Sequence, residues 1–122
     1  FGDQILYPTM ARQIRNPERS QEYMQKLSPL MKYKGFKQAM LATLRDKSLD
    51  SLKPVYERVG RSGKPGMLFW GTDDRSVPFE FHALVQAAIP SIEFHAVEGG
   101  GHSMNFESPE AVNPLLVEFF ER

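Results

Sequence analysis

The run Gly66-Met67-Leu68-Phe69-Trp70-Gly71 constrains this chain most. Four consecutive apolar residues bounded by glycines read as a short strand buried on both faces, the pattern of a parallel sheet. A parallel neighbour needs a crossover connection, usually a helix. The following residues supply one. Pro78 opens a helical pattern that runs to about Ala88, with Phe81, Leu84, Val85 and Ala88 inward, and Pro90 stops it. Ile92 to Val97 is the next strand. Ser108-Pro109 is a cap-plus-proline start for a last helix carrying Val112, Leu115, Leu116, Phe119 and Phe120. Pro114 removes a backbone hydrogen bond inside that helix, so a kink or a late start is expected there.

The first half of the chain differs in character. Residues 1–60 read as helices and turns. Asn16-Pro17 is a helix start, with Met24, Leu27 and Met31 at helical spacing. A second helix is expected from Pro29 or Tyr33 to Leu44, with Phe36, Met40, Leu41 and Leu44 on one face and Gly35 weakening its start. A third spans Asp50 to Val59, with Pro54 tolerable only in its first turn. Gly60, Ser62, Gly63, Lys64 and Pro65 are a breaker cluster that divides the chain into residues 1–60 and 61–122.

Two parallel strands need neighbours and covering layers that these helices supply only in part. Unpaired apolar edges invite pairing with another chain. The second half is therefore expected to complete a larger sheet, to pair with a missing N-terminal part, or to self-associate.

Composition excludes several classes. With 41% hydrophobic and 25% charged residues, the 122-residue chain has an ordinary globular balance. Zero net charge removes the electrostatic case for nucleic acid or an anionic membrane as the main partner. There is no cysteine, hence no disulfide and no thiolate metal site. No apolar run approaches the roughly 20 residues of a membrane span, and no signal peptide opens the chain, so a cytoplasmic protein is expected. A first residue of Phe1 reads as a processed or truncated product.

The chemistry sits in two loops. Asp74 lies four residues past Trp70, and His102 five past Val97, after Gly99-Gly100-Gly101. Ligand sites of open parallel sheets form at the carboxyl ends of strands, so both side chains are expected at the same end. Asp74 would accept a hydrogen bond from one imidazole nitrogen and fix the tautomer; the other nitrogen would serve as a general base. The ordinary histidine range, near about pH 6.5, suits that work. Taken singly, Asp74 is more simply a turn or cap residue and His102 an ordinary loop residue. The pair, in this order and at one sheet end, is far more specific. Asp73 is the competitor for the acid. His95 lies in a strand and packs or faces solvent, and His82 is a surface residue of a helix. The three histidines have no metal-ligand spacing, and the triple glycine is not a phosphate loop, since no helix directly follows it. No cofactor is expected.

These residues resemble a known superfamily. Pro65 through Pro78 (PGMLFWGTDDRSVP), Ile89-Pro90, Phe94 to Pro109 (FHAVEGGGHSMNFESP), Val112-Asn113 and Phe119-Phe120 are similar to the C-terminal part of the α/β-hydrolase fold. The fold implied is α/β: two parallel strands with crossover helices, preceded by a helical cap segment. The resemblance maps the catalytic acid onto Asp74 and the catalytic histidine onto His102. Residues 1–60 are similar to the helical cap and following core helix of lipase-like and C–C hydrolase-like members. Met10, Met24, Met31, Phe36 and Met40 are candidates for substrate lining there, or equally for packing within the cap.

One part of the machinery is missing from these residues. The superfamily's G-x-S-x-G nucleophile elbow and His-Gly oxyanion segment precede the cap. Ser62, Ser76 and Ser103 have the wrong neighbours for an elbow. The resemblance thus implies the C-terminal fragment of an esterase- or lipase-like hydrolase acting on a small ester-like substrate, and a chain that is inactive alone. Dehalogenase-like and epoxide-hydrolase-like parents, with an aspartate nucleophile, are also open. The alternative from another class is a non-catalytic module that self-associates or completes a partner's sheet.

Overall fold

A computed structural model of the chain describes residues 2–46 and 52–122. Helix α1 (Gly2–Ala11) and α2 (Pro17–Leu30) open the chain, followed by α3 (Phe36–Arg45) and α4 (Lys53–Arg61). Strand β1 (Met67–Gly71) leads through a single 3₁₀ turn, Phe79–Phe81, into α5 (His82–Ala88). Strand β2 (Glu93–Val97), a one-turn helix α6 (Met104–Glu107) and α7 (Pro109–Glu121) complete it.

Local chemistry explains the helix starts. Asn16 Oδ1 accepts the amides of Glu18 and Arg19 at 3.0 and 3.1 Å, satisfying two donors that the first turn of α2 leaves free. Pro17 then occupies a first-turn position. Pro54 is likewise in the first turn of α4, as expected. Helix α2 continues past Pro29, so α3 begins only at Phe36, after Gly35 in the left-handed region at φ 92°. Asp50 and the side chain of Leu44 lie outside the described residues.

The sheet is the expected parallel pair. Met67 to Gly71 align residue for residue with Glu93 to Val97. Its burial is less than the apolar run suggested: Met67 to Trp70 are half-buried and Ala96 is exposed. Two strands alone present faces that the described helices cover only in part. The same geometry corrects α5 and α7. Phe81 and Leu84, expected inward, are 43% and 67% exposed, and Phe120 is 78% exposed. Helix α7 starts at Pro109 and runs unbroken through Pro114, so the late start is not seen. Ser108 supplies no side-chain cap. Among the described residues the buried apolar side chains are Ile14, Met24, Met31, Ile89, Val97 and Val112. Helix α4 reaches the end of α5 at Gly60, where a Cβ would lie 2.5 Å from the Ala88 carbonyl oxygen.

Candidate active site

Backbone hydrogen bonds carry the ladder of β1 and β2 into the loops that follow them. The Thr72 amide donates to the Val97 carbonyl and the Asp73 amide to the Gly100 carbonyl, both at 3.0 Å. The Gly99 amide returns a bond to Thr72 Oγ1 at 2.8 Å. Gly99 takes the left-handed conformation, φ 66°, that lets the chain turn back at once. The acid loop and the glycine loop are therefore one hydrogen-bonded unit at the carboxyl end of the sheet.

That unit brings Asp74 and His102 into contact. His102 Nδ1 lies 2.9 Å from Asp74 Oδ2. The Asp74 side chain is 3% exposed and that of His102 is 39% exposed. An ionised carboxylate only accepts, so Nδ1 is the donor, and in the neutral ring Nε2 then keeps its lone pair. Among the described residues Nε2 has no hydrogen-bond partner. Asp74 also closes its own turn: Oδ1 accepts the amides of Ser76 and Val77 at 2.7 and 2.9 Å. Turn residue and histidine partner are thus both correct descriptions, one for each oxygen.

Asp73 is separated from this pair. Its Oδ2 takes Arg15 Nε at 2.5 Å, and Arg75 Nε stands 3.8 Å from Oδ1. His95 packs within the sheet: it stacks on Phe69 with centroids 5.4 Å apart and bonds Glu93 Oε1 at 2.9 Å. His82 departs from the surface position expected for it. It stacks on Phe94 at 4.4 Å, meets Phe79 at 4.6 Å and bonds Gln86 Oε1. A helix does follow the triple glycine, α6 beginning at Met104, but it is a single turn.

Of the expected cap-lining residues, Met31 is buried and lines an open cavity of about 610 Å³ with Tyr7, Tyr33 and Lys37. Phe36 and Met40 are half-buried on α3 and do not line it. Neither Asp74 nor His102 borders that cavity. Among the described residues no group of three or more His, Asp or Glu side chains is arranged to hold a metal, and no helix is long and apolar enough to cross a membrane.

The sequence reading missed two contributors. Glu107, 8% exposed, accepts the amides of Gly101 and Asn16. The segment Gln13–Asn16, between α1 and α2, touches both loops: the Gln13 carbonyl accepts the His102 amide at 3.0 Å, and Arg15 holds Asp73. Both sets of contacts join positions far apart in sequence, and no local pattern announces them.

The acid and the histidine thus stand in loops that follow adjacent parallel strands, the acid first in the chain. A sequence profile of the Alpha/beta hydrolase family matches residues 3–115, and the chain belongs to that family. It is 34% identical over 62 residues to a 2-hydroxy-6-oxononadienedioate/2-hydroxy-6-oxononatrienedioate hydrolase of Cupriavidus pinatubonensis, covering 51% of this chain and 22% of that protein. A protein of the same description from Paraburkholderia phymatum is 32% identical over the same length and shares. The uncharacterized hydrolase YugF of Bacillus subtilis is 30% identical over 83 residues, 68% of this chain and 29% of YugF. The matched stretch therefore spans less than a third of each of these relatives.

Proposed function

We propose that this chain supplies the general base, His102, and its orienting acid, Asp74, to a hydrolytic triad whose nucleophile and oxyanion donors come from outside these 122 residues. The observation that carries the reading is the 2.9 Å contact between His102 Nδ1 and Asp74 Oδ2, with Nε2 unpartnered among the described residues and the ring partly exposed. In the reaction, Nε2 takes the proton of a serine hydroxyl as its oxygen bonds to the substrate carbonyl carbon. The leaving group receives that proton as its bond to the same carbon breaks. Water then attacks the acyl-enzyme, giving its proton to the same Nε2, which passes it to the serine oxygen as that oxygen leaves. Asp74 stays ionised and stabilises the imidazolium at each stage. Without the nucleophile the chain alone has no turnover.

The bond cleaved is an ester or a related acyl bond. The names of two relatives favour a second reading, an oxo-dienedioate substrate, for which the same base and acid serve. The test is turnover by the protein that joins these residues to its nucleophile segment, assayed with an activated ester and with a 2-hydroxy-6-oxo dienedioate. His102→Ala should cut either activity on the order of 10⁴-fold or more. Retained turnover in that variant rejects the assignment.

A further inference from the structure

We propose that Glu107 and the segment Gln13–Asn16 form a brace that positions the Asp74–His102 pair. The catalytic meaning of the brace rests on the function proposed above; its geometry stands on its own.

Glu107 is a buried carboxylate with no role in the proton transfers. A buried carboxylate requires hydrogen-bond donors for its oxygens. Here both oxygens take backbone amides and nothing else among the described residues: Oε2 from Gly101 at 3.1 Å and Oε1 from Asn16 at 2.5 Å. Charged acceptors make the stronger hydrogen bonds of this kind. One donor immediately precedes His102 in the chain. The other is the last residue of the Gln13–Asn16 segment, 91 positions away from Glu107.

The segment contacts both loops, one through a side chain and the other through backbone amides. It holds Asp73, the residue before Asp74, through Arg15 Nε at 2.5 Å. Through Glu107 it holds Gly101, the residue before His102, and the Gln13 carbonyl takes the amide of His102 itself at 3.0 Å. It is fixed in turn: Ile14 is 4% exposed in the core, and Asn16 caps α2. The fit leaves no slack at Gly101, where a Cβ would meet Gln13 O at 2.7 Å and Arg15 Cγ and Glu107 Oε2 at 2.9 Å. One short segment of the helical half thus holds the backbone at His102 directly and reaches the Asp74 loop through the side chain of Asp73. Glu107 is a positioning residue, acting through His102.

Glu107→Gln tests this, because an amide keeps the shape but accepts on one oxygen and turns a donor toward the second N–H. The readout is the NMR resonance of the His102 Nδ1–H proton in the 122-residue chain, with and without Asp74→Asn. The difference that Asp74→Asn makes to the position of that resonance measures the contact between the two side chains. In Glu107→Gln it should fall by at least about half, a fractional loss that double-substitution comparison resolves. An unchanged difference in a folded Glu107→Gln chain overturns the brace. Should that variant fail to fold, hydrogen exchange of the native chain decides. Asn16 is an exposed residue whose amide should nevertheless exchange about 100-fold or more slower than an open loop amide. Exchange at the open-loop rate overturns the proposal. Neither readout needs turnover. A coupled pair in a protein without hydrolysis sinks the function and keeps the brace, and hydrolysis with an uncoupled Glu107 does the reverse.

Discussion

His102 Nδ1 donates to Asp74 Oδ2 at 2.9 Å while the other oxygen of the same carboxylate holds the turn at Ser76 and Val77. One side chain closes the loop that carries it and orients the ring facing it, and two substitutions separate those tasks. Asparagine keeps an acceptor for the two turn amides but presents an N–H₂ to His102. Asp74→Asn should therefore stay within about 1 kcal/mol of native stability and still lower kcat on the order of 10⁴-fold in the nucleophile-bearing protein. Asp74→Ala should lose the same activity and, in addition, about 1–2 kcal/mol of stability. Equal stability of the two variants in urea would show that the turn does not depend on Oδ1.

Gly71 ends β1 where the histidine loop crosses it. A Cβ there would lie 2.2 Å from the Gly100 carbonyl oxygen and 2.5 Å from that of Gly101. Backbone cannot rotate away as a side-chain tip can. Gly71→Ala should cost about 3 kcal/mol or more and disrupt the His102 loop. Gly63, at φ 66° with no neighbour within 4 Å of a Cβ, is the control. Its alanine variant should cost only about 1 kcal/mol, from backbone strain. Denaturant midpoints compare the two directly.

Asn16→Ala removes the acceptor of two α2 amides but keeps the backbone N–H that Glu107 binds. A loss of about 1 kcal/mol is expected, with the Asp74–His102 contact retained. Loss of that contact in the His102 ring spectrum would mean that the cap, rather than the backbone, sets the segment.

Arg122, and after it His95, holds the Glu93 carboxyl below its ordinary value of 4.5. The unfolded chain lacks these partners, so the folded state binds that proton more weakly. The resulting stability is full above the ordinary value and is lost as pH falls through the lowered one. Arg122→Gln should raise the Glu93 titration toward 4.5 and make the acid limb of the stability curve shallower. The Glu93 carboxyl carbon, followed by NMR, reports this; an unmoved titration contradicts it.

Strands β1 and β2 pair only with each other among the described residues, which leaves one edge of each open. We expect the isolated chain to self-associate through these edges and the exposed apolar side chains of Leu84 and Phe81. Light scattering at micromolar concentration should give a mass above that of one chain. A clean monomer rules out the edge argument.

Much of this was legible in the residues, for local reasons. Asn16-Pro17 and Pro54 mark helix starts by their own geometry, and glycine-bounded or proline-bounded apolar runs mark the strands. Asp74 and His102 could be placed together because strand ends fix where a loop begins. Burial was less legible. Phe81 and Leu84 have the spacing of an inward face, but spacing does not say whether a layer lies against it. His82 resembled a surface residue because its stacking partner, Phe94, is in another element. Glu107, Arg15 and Gln13 were beyond reach for the same reason: their partners lie across the fold, and an isolated Glu or Arg carries no sign of whom it meets.

The matched register of the two strands has a consequence for how such a chain tolerates change. Met67–Gly71 and Glu93–Val97 are equal in length and aligned in step, so each loop leaves the sheet at the same level. Identity along the strands can drift among apolar side chains, but length cannot. One inserted or deleted residue in either strand moves its loop by about 3.3 Å and turns every following side chain to the opposite face. Natural or engineered variants of this region should therefore accumulate apolar substitutions, Gly71 excepted, and gaps almost never.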